Sequence, residues 1–199
     1  MSDGHERYDA DLSNYDWLMA EVDKHERDQA YALGRLILEK FGQKSVIDLG
    51  CATGIYLLPF REAGCDVFGV DGAPAAGQHL EPHEFQRYDL RQPYYPSRYF
   101  DLCLSIETAE HLKPQYSEVL VESLTRCAPL IFFSAAREGQ NGEGHFNCQN
   151  QPFWVAIFNK FGFVKDDGLT ATLHEVIDVD PIYKTCHWLI WNSMVLRKS

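Results

Sequence analysis

The sequence predicts an α/β domain built on a mainly parallel sheet with helices on both faces. Three observations carry this. Short β-branched and apolar runs alternate with stretches whose apolar residues recur at helical spacing, the pattern of parallel strands joined by crossover helices. The run Val46-Ile47-Asp48-Leu49-Gly50-Cys51-Ala52-Thr53-Gly54 reads as a strand, a tight turn and the start of a helix, and the carboxyl edge of such a strand is where open α/β sheets bind ligands. Finally, 199 residues with 45% hydrophobic and 24% charged content suit one globular domain, and no repeat, low-complexity tract or long linker divides the chain.

Residues 1–13 are polar and read as a frayed end. Over 14–41 the apolar positions Trp17, Leu18, Val22, Ala30, Leu33, Leu36, Ile37 and Phe41 predict one or two amphipathic helices, stopped by Gly42. Such helices pack on a sheet edge or cover a ligand, and Tyr8, Tyr15 and Trp17 offer either a lid or core packing. Residues 1–43 are therefore expected to form a helical cover over the site, and 44–199 the main domain.

Strands are expected at 45–49, 66–70, 85–88, 100–106 and 130–134. Helices are expected at 55–63, 73–80 and 115–127, with Pro114 suited to a first turn. After the loop 135–151 comes a helix at 152–161, closed by Gly162, and a strand at 163–165. A last strand is expected over 188–196, and 167–187 reads as an irregular connection.

The start Ser2-Asp3-Gly4-His5-Glu6-Arg7 has no basic leader before an apolar core, and the apolar run 128–136 is far too short to span a bilayer, so a cytoplasmic protein without membrane association is expected. The formal net charge of -11 argues against a nucleic-acid partner, which needs basic surface to displace counterions. The six cysteines (51, 65, 103, 127, 148 and 186) form no CxxC pair and no zinc spacing, and read as reduced and structural. Nothing in the sequence specifies an oligomeric state.

The loop after the first strand is Asp48-x-Gly50-x-x-x-Gly54. It lacks G-x-G-x-x-G, which a pyrophosphate wants for close backbone approach, and no Gly-Lys-Ser/Thr follows to make a Walker loop. Two further acids end the next strands. Asp71, before Gly72, lies about twenty residues on, where α/β folds place a carboxylate on ribose hydroxyls. Asp89, before Leu90, offers an acceptor for an adenine amino group. A lone Asp in a turn is commonly a cap, but three acids at three successive strand ends point to a nucleoside-bearing ligand.

With these residues in view, the chain resembles the class I S-adenosylmethionine-dependent methyltransferases over roughly residues 44–196. Residues 46–54 look like the family's first motif, Asp71 its ribose-binding acid and Asp89 the acid beside the adenine. Phe100-Asp101-Leu102-Cys103-Leu104-Ser105-Ile106-Glu107, followed by Glu110-His111-Leu112, resembles its fourth motif. The resemblance implies a Rossmann-like, seven-stranded, mainly parallel sheet whose last strand is antiparallel. It implies S-adenosylmethionine as cofactor, bound by Asp48, Gly50, Cys51, Ala52, Thr53, Gly54, Asp71, Gly72, Asp89, Leu90, Ile106 and Glu107.

Methyl transfer from a sulfonium is an in-line displacement in which alignment supplies ~7–11 kcal/mol, against ~10²–10⁴-fold from a general base. Two places offer polar chemistry. Spacings of three and four bring Glu107, Glu110 and His111 to one side if the chain turns helical there. Two carboxylates and an imidazole suit a divalent cation, and the combination resembles small-RNA 2′-O-methyltransferases and ubiquinone-pathway O-methyltransferases that hold a metal. A Glu-His pair at this place is also widespread in members without one, with Glu107 beside the cofactor and His111 stabilising the turn, so no metal is assigned. The second place is the glycine-rich loop 139–147, where His145 offers a general base, a fourth ligand or a loop anchor. His174 and His187 read as surface or packing residues, although their segment could line the acceptor pocket.

The expected activity is methyl transfer to an oxygen of a small molecule, a sugar or hydroxylated metabolite, with His145, Glu107 and His111 as catalytic candidates. Ser105-Ile106-Glu107-Thr108 stands where methyltransferases of base amino groups carry Asn/Asp-Pro-Pro-Tyr/Phe. Two alternatives are RNA 2′-O-methylation with a Glu-x-x-Glu-His metal site and a non-catalytic S-adenosylmethionine-binding module.

Overall fold

The computed structural model describes residues 6–199, apart from the side chains of Glu6, Ala10, Leu18 and Val22. Seven strands form one sheet: β1 (Ser45–Leu49), β2 (Asp66–Asp71), β3 (Phe85–Arg87), β4 (Leu102–Ile106), β5 (Leu130–Ser134), β6 (Phe163–Lys165) and β7 (Ser193–Lys198). Their order is β3-β2-β1-β4-β5-β7-β6. Neighbours from β3 to β5 pair in parallel, while β7 runs antiparallel to both β5 and β6. The Rossmann-like sheet with its last strand reversed is therefore present. Between β1 and β4 the chain changes direction across the sheet, and this switch point opens a crevice at the carboxyl edge.

Alternation along the strands explains why both faces carry helices. Ile47, Cys103, Ile131, Phe133, Met194 and Leu196 face one cluster, shared with Leu120, Leu124, Trp154 and Phe158. Val46, Leu102, Leu104, Phe132 and Val195 face the other, with Leu33, Ile37, Phe60, Leu173 and Ile177. Period two along each strand sends successive side chains to opposite faces, so neither face can be left to water.

The helices are α1 (Glu6–Ala10), α2 (Asp16–His25), α3 (Arg27–Phe41), α4 (Leu58–Glu62), α5 (Ser117–Cys127), α6 (Gln151–Lys160), α7 (Asp167–Val179) and α8 (Leu189–Asn192). Gly42 ends α3 in the left-handed region at φ 63°, its N–H on the Leu38 carbonyl at 2.8 Å. Because α3 buries Leu33, Leu36 and Ile37 against the sheet, it is part of the core.

Several local expectations need correction. The part of 1–13 that is described is ordered, with α1 followed by a 3-10 turn at Leu12–Tyr15; residues 1–5, and the side chains of Leu18 and Val22 assigned to the apolar helix face, lie outside the described residues. Residues 73–80 form turns instead of a helix, since Pro74 and a left-handed Gly77 interrupt the run. Within 167–187 lies the thirteen-residue α7, capped by Asp166, whose carboxylate accepts the Leu169 N–H at 2.9 Å. Gly168, Thr170 and Thr172 dilute its helical signal, although Leu169, Leu173, Val176 and Ile177 keep the spacing. The start of 188–196 is a helical turn, α8, and β7 begins only at Ser193. Phe100 and Asp101 precede β4, their N–H groups bonding Cys127 and Ser45 carbonyls.

All six cysteines are free, with Cys51, Cys103, Cys127 and Cys186 buried. No helix among the described residues is long and apolar enough to cross a membrane.

Candidate active site

A cavity of about 400 Å³ opens at the carboxyl ends of β1, β2 and β4. Its floor begins at the loop after β1. Gly50 has φ 89°, and a Cβ there would meet Thr108 Oγ1 at 2.2 Å, so only glycine fits. Ala52 and Glu107 also hold positive φ, 47° and 48°, and both line the cavity. Left-handed backbone at a non-glycine residue costs about 1–3 kcal/mol and gathers at sites that need a fixed geometry.

Strain at Ala52 is held by β2. The Ala52 N–H donates to Asp71 Oδ2 at 3.0 Å, and the Ala73 N–H to Oδ1 at 2.9 Å. Each Asp71 oxygen thus keeps one lone pair for a hydroxyl donor, as a ribose diol requires. Burial raises the Asp71 carboxyl above its ordinary value, against the pull of these amides.

The remaining motif residues stand behind the wall. Gly50 and Cys51 both donate backbone N–H groups to the Val70 carbonyl, at 2.8 and 3.2 Å, which folds the loop back onto β2. Cys51 and Thr53 are consequently buried, and Gly54 packs against Leu80. Asp48 lies wholly beneath the surface with neither carboxylate oxygen partnered, and burial, then the Asp71 charge, push it up to about 7. Among the nine residues of 46–54, Gly50 and Ala52 line the cavity; Asp48, Cys51, Thr53 and Gly54 do not.

Gly72, Leu90 and Ile106 line the cavity as well. Asp89 does so with both oxygens already engaged: Arg91 Nε lies 2.9 and 3.0 Å from them, and Arg91 Nη2 2.7 Å from Oδ2. Burial works against ionising Asp89, but the Arg91 hydrogen bonds hold its carboxyl below the ordinary range. An adenine amino group would have to share this acid with Arg91, which sequence reasoning passed over two positions from Asp89.

At the far end, Glu107, Glu110 and His111 line the cavity, the last two on a 3-10 turn at Ala109–His111. Asn192 Nδ2 donates to both Glu107 oxygens, at 3.3 and 3.2 Å, and to Gln140 Oε1 at 2.9 Å. Burial pushes Glu107 up to about 7, against hydrogen bonds from Glu110, Ser134 and Asn192. Glu110 is fully buried, accepts the Ala136 N–H at 3.1 Å, and is held protonated by burial and the neighbouring Glu107 charge. Its carbonyl also receives Phe146 and Asn147 N–H groups at 2.7 and 3.1 Å, anchoring the 139–147 loop above.

His111 Nδ1 lies 3.2 Å from the Gly144 carbonyl, so the proton belongs on Nδ1 and Nε2 keeps its lone pair. Burial, then the neighbouring His145 imidazole, push it down to about 3, and the ring is neutral at physiological pH. His145 meets it edge-on at 4.9 Å between centroids, with Nδ1 3.1 Å from the Gln140 carbonyl and 3.5 Å from Cys148 Sγ. Glu110, His111 and His145 each bring a ligand atom within 4.8 Å of the others. Two imidazoles and a carboxyl suit a borderline divalent cation, which would replace the Glu110 proton; Glu107 stands outside this group.

The N-terminal segment roofs the cavity with Tyr8, Asp9, Leu12, Tyr15 and Met19. Trp17 does not line it; its half-exposed indole donates to the Tyr8 hydroxyl at 3.2 Å. Asp9, Tyr56, Gln140 and Asn192 carry no motif signal and were legible only in three dimensions. His174 bonds Ser193 Oγ and His187 bonds Asp178, both at 3.0 Å; no residue of 167–187 lines the cavity, which Trp188, just beyond that segment, reaches.

A family model described as a methyltransferase domain matches residues 24–165. No curated protein matches the chain. Among solved structures, a sugar N-methyltransferase from Streptoalloteichus sp. superposes with TM-score 0.65 at 15% identity, over 91% of both chains. A SAM-dependent methyltransferase from Archaeoglobus fulgidus does so at 0.63 and 16%, over 92% of this chain and all of that one. Human N-acetylserotonin methyltransferase in complex with SAM gives 0.54 and 17%, over 89% of this chain and 58% of that one. At these identities the likeness is one of fold.

Proposed function

Because the chain belongs to the class I S-adenosylmethionine-dependent methyltransferases, with S-adenosylmethionine as methyl donor, we propose that it methylates an oxygen of a small hydroxylated molecule held between the 107–111 turn and the 139–147 loop. The bound donor supplies a methyl group already activated on a sulfonium. The carrying observation is Asp71, an acid fastened by two backbone amides at the switch point with lone pairs left for ribose hydroxyls. In this reading Gly50 and Ala52 support the donor from below, Gly72, Asp89 and Leu90 flank its nucleoside, and Ile106 and Glu107 border its reactive end. Asp71 and Glu107, both lining the cavity, are acids suited to a cationic donor, while Asp48 stands behind the wall. Residues 6–26 form the cover, and α3 belongs with the catalytic domain.

An alcohol must lose its proton as the methyl arrives. Glu107, poised at about 7, is suited to accept it, and His145 stands across the same cavity as the other candidate. His111, pushed down to about 3, is a poor base and serves to position the loop through Gly144. Screening hydroxylated acceptors with a labelled methyl donor tests this. Label should enter an ether, with turnover falling about 10²–10⁴-fold in Glu107→Gln or His145→Ala; label in an amine, or wild-type turnover in both variants, contradicts it. The grouping of Glu110, His111 and His145 favours a second reading in which a divalent cation orients the acceptor oxygen. Full activity after EDTA treatment, with no metal by elemental analysis, removes that reading. RNA as acceptor gains nothing from an acid-lined cavity on a chain of net charge -11.

A further inference from the structure

One segment touches both ends of the cavity. At the nucleoside end Leu12 packs over Gly72, where a Cβ would meet its Cδ1 at 2.6 Å, and Asp16 Oδ1 accepts the Ala75 N–H at 2.8 Å. Asp9 bridges two cations, with Oδ1 3.2 Å from Arg91 Nη1 and Oδ2 2.9 Å from Lys113 Nζ. Arg91 turns its other edge to Asp89, so one guanidinium joins an acid of the segment to an acid of the cavity floor.

At the other end, the Tyr15 hydroxyl donates to the His111 carbonyl at 3.3 Å and its ring meets the imidazole edge-on at 5.2 Å. The Tyr8 hydroxyl donates to Glu143 Oε1 at 2.8 Å, and both tyrosines pack against Gly144, which a Cβ would bring within 3.1–3.2 Å of their rings. Among the described side chains of residues 6–25 only Tyr8 and Met19 are buried. Beyond these two side chains and the packing of Leu12 and Tyr15, polar contacts hold the segment, and an element with so few buried apolar side chains opens at low cost.

We propose that Asp9 and Arg91 are positioning residues that couple occupation of the nucleoside end to closure of residues 6–25, so that donor binding completes the acceptor end. The inference rests on the reading that the cavity takes S-adenosylmethionine. A nucleoside between Asp71 and Asp89 lies under Leu12 and beside Arg91, and contacts available only with the segment closed shift its equilibrium toward closure. Tyr8 and Tyr15 move with the same segment, so closure at one end sets the His111 turn and the 139–147 loop at the other.

Hydrogen exchange of the intact protein with S-adenosylhomocysteine as probe tests this. In the wild type the probe should slow exchange at 50–54, 6–19 and 139–147 together. Asp9→Asn should bind the probe about tenfold more weakly and, at saturation, protect 50–54 while leaving 139–147 exchanging as in the free protein. Loss of a merely structural contact would not separate those two regions. Lys113→Met, which removes the outer partner of Asp9 and spares the Arg91 bridge, should weaken binding about threefold and keeps the test open should Asp9→Asn not fold. Affinity within twofold of wild type in both variants, with 139–147 protected, overturns the proposal and leaves the cofactor reading intact, as does wild-type protection confined to 50–54. No binding of the probe to the wild type overturns both.

Discussion

Asp48, one residue before the end of β1, and Asp71, at the end of β2, stand in opposite circumstances. Asp71 reaches the cavity with its charge anchored by two amides, whereas Asp48 is walled off with both oxygens unpartnered. Asp71→Ala should therefore raise the dissociation constant for S-adenosylmethionine about 10- to 100-fold, the scale of losing charge-assisted hydrogen bonds. Asp48→Asn, without direct contact, should change it less; titration calorimetry of the two variants checks the ranking, and equal losses would contradict it. Stability gives a second readout. Asp48 keeps its proton in the folded state up to about pH 7, while the unfolded chain releases it near its ordinary value of about 4. The folded state thus binds more protons across that window, so stability falls as pH rises through it and levels off above. The melting temperature should decline between pH 5 and 7.5, and less steeply in Asp48→Asn; parallel declines would mean that Asp48 ionises normally.

At the scale of elements, the glycine loop and the missed helix make separate demands. Gly50 and Gly42 both hold positive φ, but a Cβ at 42 meets nothing within 4 Å while one at 50 strikes Thr108. Gly42→Ala should cost about 1–2 kcal/mol, the left-handed penalty alone. Gly50→Ala should cost several kilocalories per mole more in chemical denaturation and lose donor binding; similar costs would show that the turn can yield at Thr108. Leu173 is buried in the face that α3 and α4 also cover, and Leu173→Ala should destabilise by about 2–5 kcal/mol, a value a loose connection over 167–187 would not give. The central strands and α5 and α6 were legible because each has one strong period. The 167–192 stretch was not, since Gly168 and two threonines dilute α7 and a four-residue turn, α8, imitates the start of a strand.

Across the whole molecule, local pattern located the donor end better than the acceptor end. Strand-end acids follow directly from strand order, so the loop, Asp71 and Asp89 were found by counting. Apart from Arg91, two residues from Asp89, the partners that set their behaviour came from distant segments: Asp9 on the far side of Arg91, Asn192 for Glu107, the Gly144 carbonyl for His111. No spacing rule links residue 192 to 107. Only the completed sheet, which puts β7 beside β5 and β5 beside β4, brings them together. The central claim is that the cavity at the β1–β4 switch point takes S-adenosylmethionine, and isothermal titration of the purified wild-type protein tests it most directly. The expected result is saturable binding of one S-adenosylmethionine per chain, abolished or strongly weakened in Asp71→Ala; absence of heat with both S-adenosylmethionine and S-adenosylhomocysteine, or identical binding in Asp71→Ala, would contradict it.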